Sequence, residues 1–227
     1  LLSRLTNLET LLIEEWDSSI SGHLPGNLNS LRRLTLMESE ARNLACLGNQ
    51  PYLDELRFDG KWKVASLEGI SDFPHLKAVF LWPCESIKDL SPLKHLKQLK
   101  WLGLPSTTTQ QQLESIVRDH PNLVGIELIK NETVTDLRPL EELRDLKFLI
   151  VWTPNANLDP LLTMRGLRWL AVGVKEQDKG ILVKIQQALP ETSVVRVDPL
   201  CLGSGWILLL APGVLSAYYV KKLRRKP

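Results

Sequence analysis

Residues 99–104 read Leu99-Lys100-Trp101-Leu102-Gly103-Leu104, and residues 146–151 read Leu146-Lys147-Phe148-Leu149-Ile150-Val151. Both follow the pattern LxxLxL. Alternation in its last three positions sends two aliphatic side chains to one face of a short strand. The leucine three residues earlier reaches the same interior from the incoming turn. Working outward, the pattern recurs as Leu8-Leu11-Ile13, Leu31-Leu34-Leu36, Leu53-Leu56-Phe58, Leu76-Val79-Leu81, Leu123-Ile126-Leu128 and Leu167-Leu170-Val172, and Val195-Val197 closes the series. The middle anchors fall at 11, 34, 56, 79, 102, 126, 149, 170 and 195, spaced 23, 22, 23, 23, 24, 23, 21 and 25 residues apart. One such coil cannot hide its own apolar edge, so copies must stack into a continuous core. The spacing predicts an α/β solenoid of about nine repeats over residues 1–198. A curved parallel sheet should line its concave face, with short helical or 3-10 turns on the convex side. The first residues already read as mid-repeat, so the repeat domain is expected to be truncated at its N-terminus.

Between the strands, further apolar pairs point inward from the convex side: Leu44 with Leu47, Leu67 with Ile70, Leu90 with Leu93. Leu113, Ile116 and Val117, in the run from Gln110 to Asp119, have helical spacing, which predicts a helical turn or two there. The stretches Ile87-Lys88-Asp89-Leu90-Ser91-Pro92-Leu93 and Val134-Thr135-Asp136-Leu137-Arg138-Pro139-Leu140 resemble the short repeats of internalin-type bacterial proteins, within the leucine-rich repeat family. The resemblance covers roughly residues 5–198 and concerns the fold rather than a ligand. It implies that Asp and Pro open a tight convex turn as an N-cap followed by a residue of pre-set φ. It also implies an asparagine ladder three residues after the last strand leucine. Those positions hold Trp16, Ser39, Lys61, Cys84, Thr107, Asn131, Pro154 and Lys175, and Asn131 alone keeps the consensus.

The register assigns the side chains that face the concave side. The first column reads Thr10, Arg33, Glu55, Ala78, Trp101, Gly125, Phe148, Trp169 and Val194. The middle column reads Leu12, Thr35, Arg57, Phe80, Gly103, Glu127, Ile150, Ala171 and Arg196. The third reads Glu14, Met37, Asp59, Trp82, Pro105, Ile129, Trp152, Gly173 and Asp198. Six large aromatics, Phe80, Trp82, Trp101, Phe148, Trp152 and Trp169, therefore share one face. Large aromatics anchor interfaces, and an exposed patch of this kind marks a binding surface. The expectation is a protein or peptide ligand on this patch, with Arg33, Glu55, Arg57 and Asp59 forming a more polar end. The competing reading is that the rings cover one another. On the ligand reading, changing Trp101 and Trp152 to Ala should leave folding intact and abolish binding.

A formal net charge of +2 includes five cations between Lys221 and Lys226, so residues 1–220 carry −3. A mildly acidic solenoid is not a nucleic-acid surface. The chain has no Gly-rich phosphate loop, paired metal-ligand motif or nucleophile elbow. No enzymatic activity, cofactor, metal or small-molecule substrate is expected. His23, His75, His95 and His120 do not share a repeat position. Cys46, Cys84 and Cys201 are too far apart for a disulfide framework, and the first two read as small buried residues. Asn131-Glu132-Thr133 matches a glycosylation acceptor, but Asn131 also holds the ladder position, and a buried ladder amide could not carry a glycan.

Residues 200–220 run 21 residues without a charge. As a helix they would reach roughly 31 Å, close to the thickness of a bilayer core. Trp206, Tyr218 and Tyr219 sit where interfacial aromatics belong, and the basic cluster comes next, as the positive-inside rule requires of a cytoplasmic end. The expected organisation is repeats (1–198), a transmembrane helix (199–220) and a basic cytoplasmic tail (221–227). The functional expectation is a non-catalytic, single-pass cell-envelope protein with its repeats outside the cytoplasm. The alternative is a tail-anchored cytoplasmic scaffold or the regulatory region of a larger polypeptide.

Overall fold

A computed structural model describes residues 4–16, 24, 28–39, 43–175 and 180–197. Nine strands form a single parallel sheet in sequence order. They are β1 (Thr10–Trp16), β2 (Arg33–Ser39), β3 (Glu55–Trp62), β4 (Ala78–Phe80), β5 (Trp101–Leu104), β6 (Gly125–Leu128), β7 (Phe148–Val151), β8 (Trp169–Gly173) and β9 (Ser193–Val197). The anchors lie side by side, Leu34 against Leu56, Val79 against Leu102, Ile126 against Leu149. Each of these six is fully excluded from solvent. Burying a side chain of this size stabilises by roughly 1.5–3 kcal/mol, and the neighbouring coils do the burying.

Each coil enters the sheet the same way. The first strand residue donates its N–H to a carbonyl one repeat earlier: Trp101 to Lys77, Gly125 to Lys100, Phe148 to Val124. Three of the short strands stop close to a proline. Pro83, Pro105 and Pro154 stand just beyond β4, β5 and β7. Lacking an N–H, a proline cannot extend the ladder. No proline stands there in the first three repeats, whose strands run 7, 7 and 8 residues. Those long strands bend locally, at Glu15 and Gly60, both with positive φ, and at a register shift between Met37 and Ser39.

On the convex side, 3-10 turns span Ala45–Leu47, Ile70–Asp72, Ser91–His95, Arg138–Glu142 and Asp159–Thr163. The expected convex pairs are all buried. The acidic residues act one step earlier than an N-cap. Leu90 and Leu137 occupy the cap position. Asp89 accepts from the Ser91 N–H at 2.8 Å, and Asp136 accepts from the Arg138 N–H at 2.9 Å. These are Asx turns that aim the chain into a proline-bearing turn. Asn157 does the same for Asp159.

Helix α1 (Gln110–Asp119) fills the whole run in which a helical turn or two was expected, and buries Leu113, Ile116 and Val117. A capping box between Thr109 and Gln112 starts it. A second helix, α2 (Gly180–Ala188), was not anticipated and fills the convex side of the last repeat with Ile181, Leu182 and Ile185.

The last repeat corrects the sequence register. Leu170 pairs with Val194 and Val172 with Arg196, so Val194 and Arg196 share the interior face. The concave positions of β9 are Ser193, Val195 and Val197. A one-residue slip turns every side chain of a strand over. The Ser193 N–H donates to Arg168 O at 2.9 Å, the same entry bond that opens the other strands, and it fixes the register. The proposed membrane span and basic tail lie outside the described residues. Among the described residues, no helix is long and apolar enough to cross a membrane.

Candidate functional site: the concave aromatic face

Five of the six aromatics fall into two groups. Phe80, Trp101 and Phe148 pack together, with ring centroids 6.3 Å apart for Phe80–Trp101 and 5.4 Å for Trp101–Phe148. They are only 4%, 5% and 6% exposed. Trp152 lies against a second apolar cluster of Ile129, Ile150, Ala171 and Val197, and Trp169 touches both clusters. Trp82, Trp152 and Trp169 are half-buried. The concave side of β4 to β8 is thus a second hydrophobic layer whose rings cover one another, while β9 adds Val197 to it and leaves Ser193 and Val195 exposed. Changing Trp101 to Ala would open that layer, so the expectation that this leaves folding intact does not hold.

Glycine explains how the rings lie flat. A Cβ on Gly125 would stand 2.4 Å from the Trp101 indole, and one on Gly173 2.6 Å from that of Trp152. On Gly103 it would meet Phe80 at 3.1 Å. Phe80 pairs with Gly103 and Trp101 with Gly125 across neighbouring strands. An aromatic in one repeat is followed, in the same column of the next, by the one residue with no side chain to lift the ring. Cross-strand neighbours lie close enough for such rings to reach.

One residue missed as a site member, Glu127, and one expected at the polar end, Arg57, complete the face. Glu127 is wholly buried in the middle column of β6. The Trp101 indole N–H donates to its Oε1 at 3.0 Å, while Oε2 has no hydrogen-bond partner among the described residues. Burial pushes its carboxyl up to about 7; Arg57 and the indole bond pull it down, and Glu55 adds to the rise. Arg57, expected at the polar end, lays its guanidinium on the Phe80 ring at 3.7 Å and holds Glu55 at 3.4 Å. A carboxylate alone among apolar column neighbours was the available signal for Glu127. Lys130 caps the layer with its ammonium 5.6 Å from the Trp152 ring.

Away from this face, Asn131 is buried, donates to Thr108 O at 2.8 Å and accepts from Val134 N at 2.8 Å. It is a ladder amide, as its position implied. Cys46 and Cys84 are buried, and burial pushes the Cys84 thiol up. His120 is buried beside α1, which depresses its pKa. No cluster that could hold a metal occurs among the described residues.

No protein-family model matches the sequence, and no curated relative matches it. Solved structures do. An internalin (inlF) of Listeria monocytogenes superimposes with a TM-score of 0.53 at 17% identity, over 87% of this chain and 58% of that one. Internalin C2 of the same species gives 0.54 at 20% identity, over 76% of this chain and 74% of that one. The fold is a leucine-rich-repeat solenoid. At these identities the likeness concerns the fold alone, and the chain spans little more than half the length of the first of these internalins. A leucine-rich-repeat protein of Leptospira interrogans also matches, at 13% identity over 85% of this chain and 91% of that one, with a TM-score of 0.32. The leucine-rich-repeat architecture explains why the candidate site is a sheet face: the convex side is used up in turns, and the concave strands carry the free columns.

Proposed function

We propose that the solenoid is a non-catalytic module that captures a protein or peptide on its concave face, within a membrane-anchored cell-envelope protein. The observation that carries this reading is the pair of half-buried indoles, Trp152 and Trp169, set on the packed apolar clusters of the concave face. Such rings lose little conformational entropy when covered, because their neighbours hold them already, and preorganised aromatic anchors are what interface hot spots are made of. The buried Phe80, Trp101 and Phe148 then serve as the bed of the site rather than as its contact surface. Anchoring through residues 200–220, with the repeats outside the cytoplasm, rests on that segment's length, lack of charge and flanking basic cluster.

The test uses binders selected against the full chain from a displayed random-peptide library. Trp152→Ser with Trp169→Ser should weaken selected peptides at least tenfold, about 1.4 kcal/mol or more, while Arg118→Ser on the convex helix leaves them unchanged. Peptides that bind the double variant as tightly as the parent would refute the concave reading. Protease treatment of intact cells tests the topology: cleavage of the repeats from outside supports it, and protection refutes it.

A further inference from the structure

The concave layer holds an acid that a purely hydrophobic platform does not need. Glu127 lies beneath the rings, one oxygen fixed by the Trp101 indole N–H at 3.0 Å and the other without a hydrogen-bond partner among the described residues. Its Oε2 sits 3.3 Å from the point where a Gly103 side chain would begin, next to the edge of Phe80. Arg57 covers the face of that same Phe80 at 3.7 Å, and one of its terminal nitrogens, Nη1, is likewise buried without a hydrogen-bond partner. Among the described residues, the charges that weigh most on Glu127 come from β3. Glu55 and Arg57 face it from that strand. The concave residues of β4, β5 and β7 (Ala78, Phe80, Trp101, Gly103, Phe148 and Ile150) carry no titratable group, and β6 has no other.

We infer that Glu127 is the positioning residue that makes the aromatic layer proton-responsive, through its bond to Trp101 and its charge opposite Arg57. As a carboxylate it accepts a charge-assisted bond from the indole, the stronger and shorter kind, and attracts Arg57 toward the Phe80 face. With a proton bound, the acceptor is neutral, the indole bond weakens, and Arg57 keeps only Glu55 as its acidic neighbour. One proton thereby adds a unit of positive charge to the concave side and loosens both Trp101 and Arg57. The midpoint lies near neutrality because burial opposes the charged form and Arg57 only partly offsets it. The device stands independently of any partner bound to the face.

The experiment tracks the indole N–H resonance of Trp101 in the nitrogen-15-labelled full chain, assigned with Trp101→Phe, from about pH 5 to pH 9, the window that brackets such a carboxyl. A single transition with a midpoint of about 7 is expected, absent in Glu127→Gln. Two further variants keep Glu127 itself in place. Arg57→Gln should move the midpoint up, because a favourable charge is gone, and Glu55→Gln should move it down, because a repelling one is gone. A flat Trp101 resonance, a transition that survives in Glu127→Gln, or midpoints that do not move in these opposite directions would each overturn the inference.

Discussion

Strands β1 to β3 and strands β4 to β9 belong to one sheet and one repeat length, but their concave faces differ in kind. In the first three repeats the strands run 7, 7 and 8 residues, and their open face carries Thr10, Leu12, Glu14, Arg33, Thr35, Glu55 and Asp59. Leu12 there is 54% exposed. From β4 onward the strands shorten to between three and five residues, and from β4 to β8 the face becomes a packed layer roofed by indoles, with Val195 on β9 again 43% exposed. Prolines beyond β4, β5 and β7 and glycines within the columns contribute to the difference. Proline ends the ladder early, and glycine lets a ring from the previous coil lie flat. The same scaffold thus bears a solvated face at one end and a second core at the other.

The sharpest way to break this contrast is to remove a ring. Trp101→Ala should cost about 3–5 kcal/mol in denaturant unfolding, the range for a large buried aromatic, whereas Leu12→Ala should cost no more than about 0.5 kcal/mol, as exposed positions do. Comparable costs at the two sites would mean that the second layer does not exist.

Next in size is the acid within the layer. The folded state holds the Glu127 carboxyl at about 7, above its ordinary value of 4.5, so folding favours the protonated form. That contribution is fully present below the unfolded value and is lost as pH rises through about 7. Glu127→Gln should therefore stabilise the protein at alkaline pH by up to about 3 kcal/mol, the free-energy equivalent of the shift, and by much less near pH 5. Thermal unfolding of the two proteins across pH reads this directly. A gain that grows toward acid pH would have the wrong sign.

The glycines give a smaller, graded effect. Gly125→Ala and Gly173→Ala push a Cβ into an indole at 2.4 and 2.6 Å, an overpacking expected to cost about 1–3 kcal/mol. Gly103→Ala meets Phe80 at 3.1 Å and should cost less. Equal values across the three would show that the rings are free to move aside. Smallest of all, Arg33→Ala on the open face should change stability by no more than about 0.5 kcal/mol.

Much of this was legible in the residues. Anchor spacing gave the solenoid, the paired strands and, through β8, which side chains face the concave side. Leu113, Ile116 and Val117 placed helical turns in the run that α1 occupies, and Asn131 marked the ladder amide. The last register was ambiguous because Val194, Val195 and Val197 offer two alternations. Hydrogen bonding from Ser193, which the pattern does not encode, decides between them. The state of the aromatic face was half legible: its membership comes from the register, but its burial depends on the side chain one strand away. Column order does contain that information. Phe80 precedes Gly103, Trp101 precedes Gly125 and Trp152 precedes Gly173, although only the geometry shows that each pair is a ring over a bare backbone. Glu127 was visible as an acid among apolar neighbours, but its buried bond to Trp101 was not.

Residue-resolved hydroxyl-radical footprinting of the native chain, normalised to the unfolded chain, tests the two-faced account most directly. It predicts that Phe80, Trp101 and Phe148 are protected to the level of core residues such as Leu102 and Leu149, while Leu12 and Met37 are modified readily. Trp101 and Phe148 reacting as fast as Leu12 would contradict it.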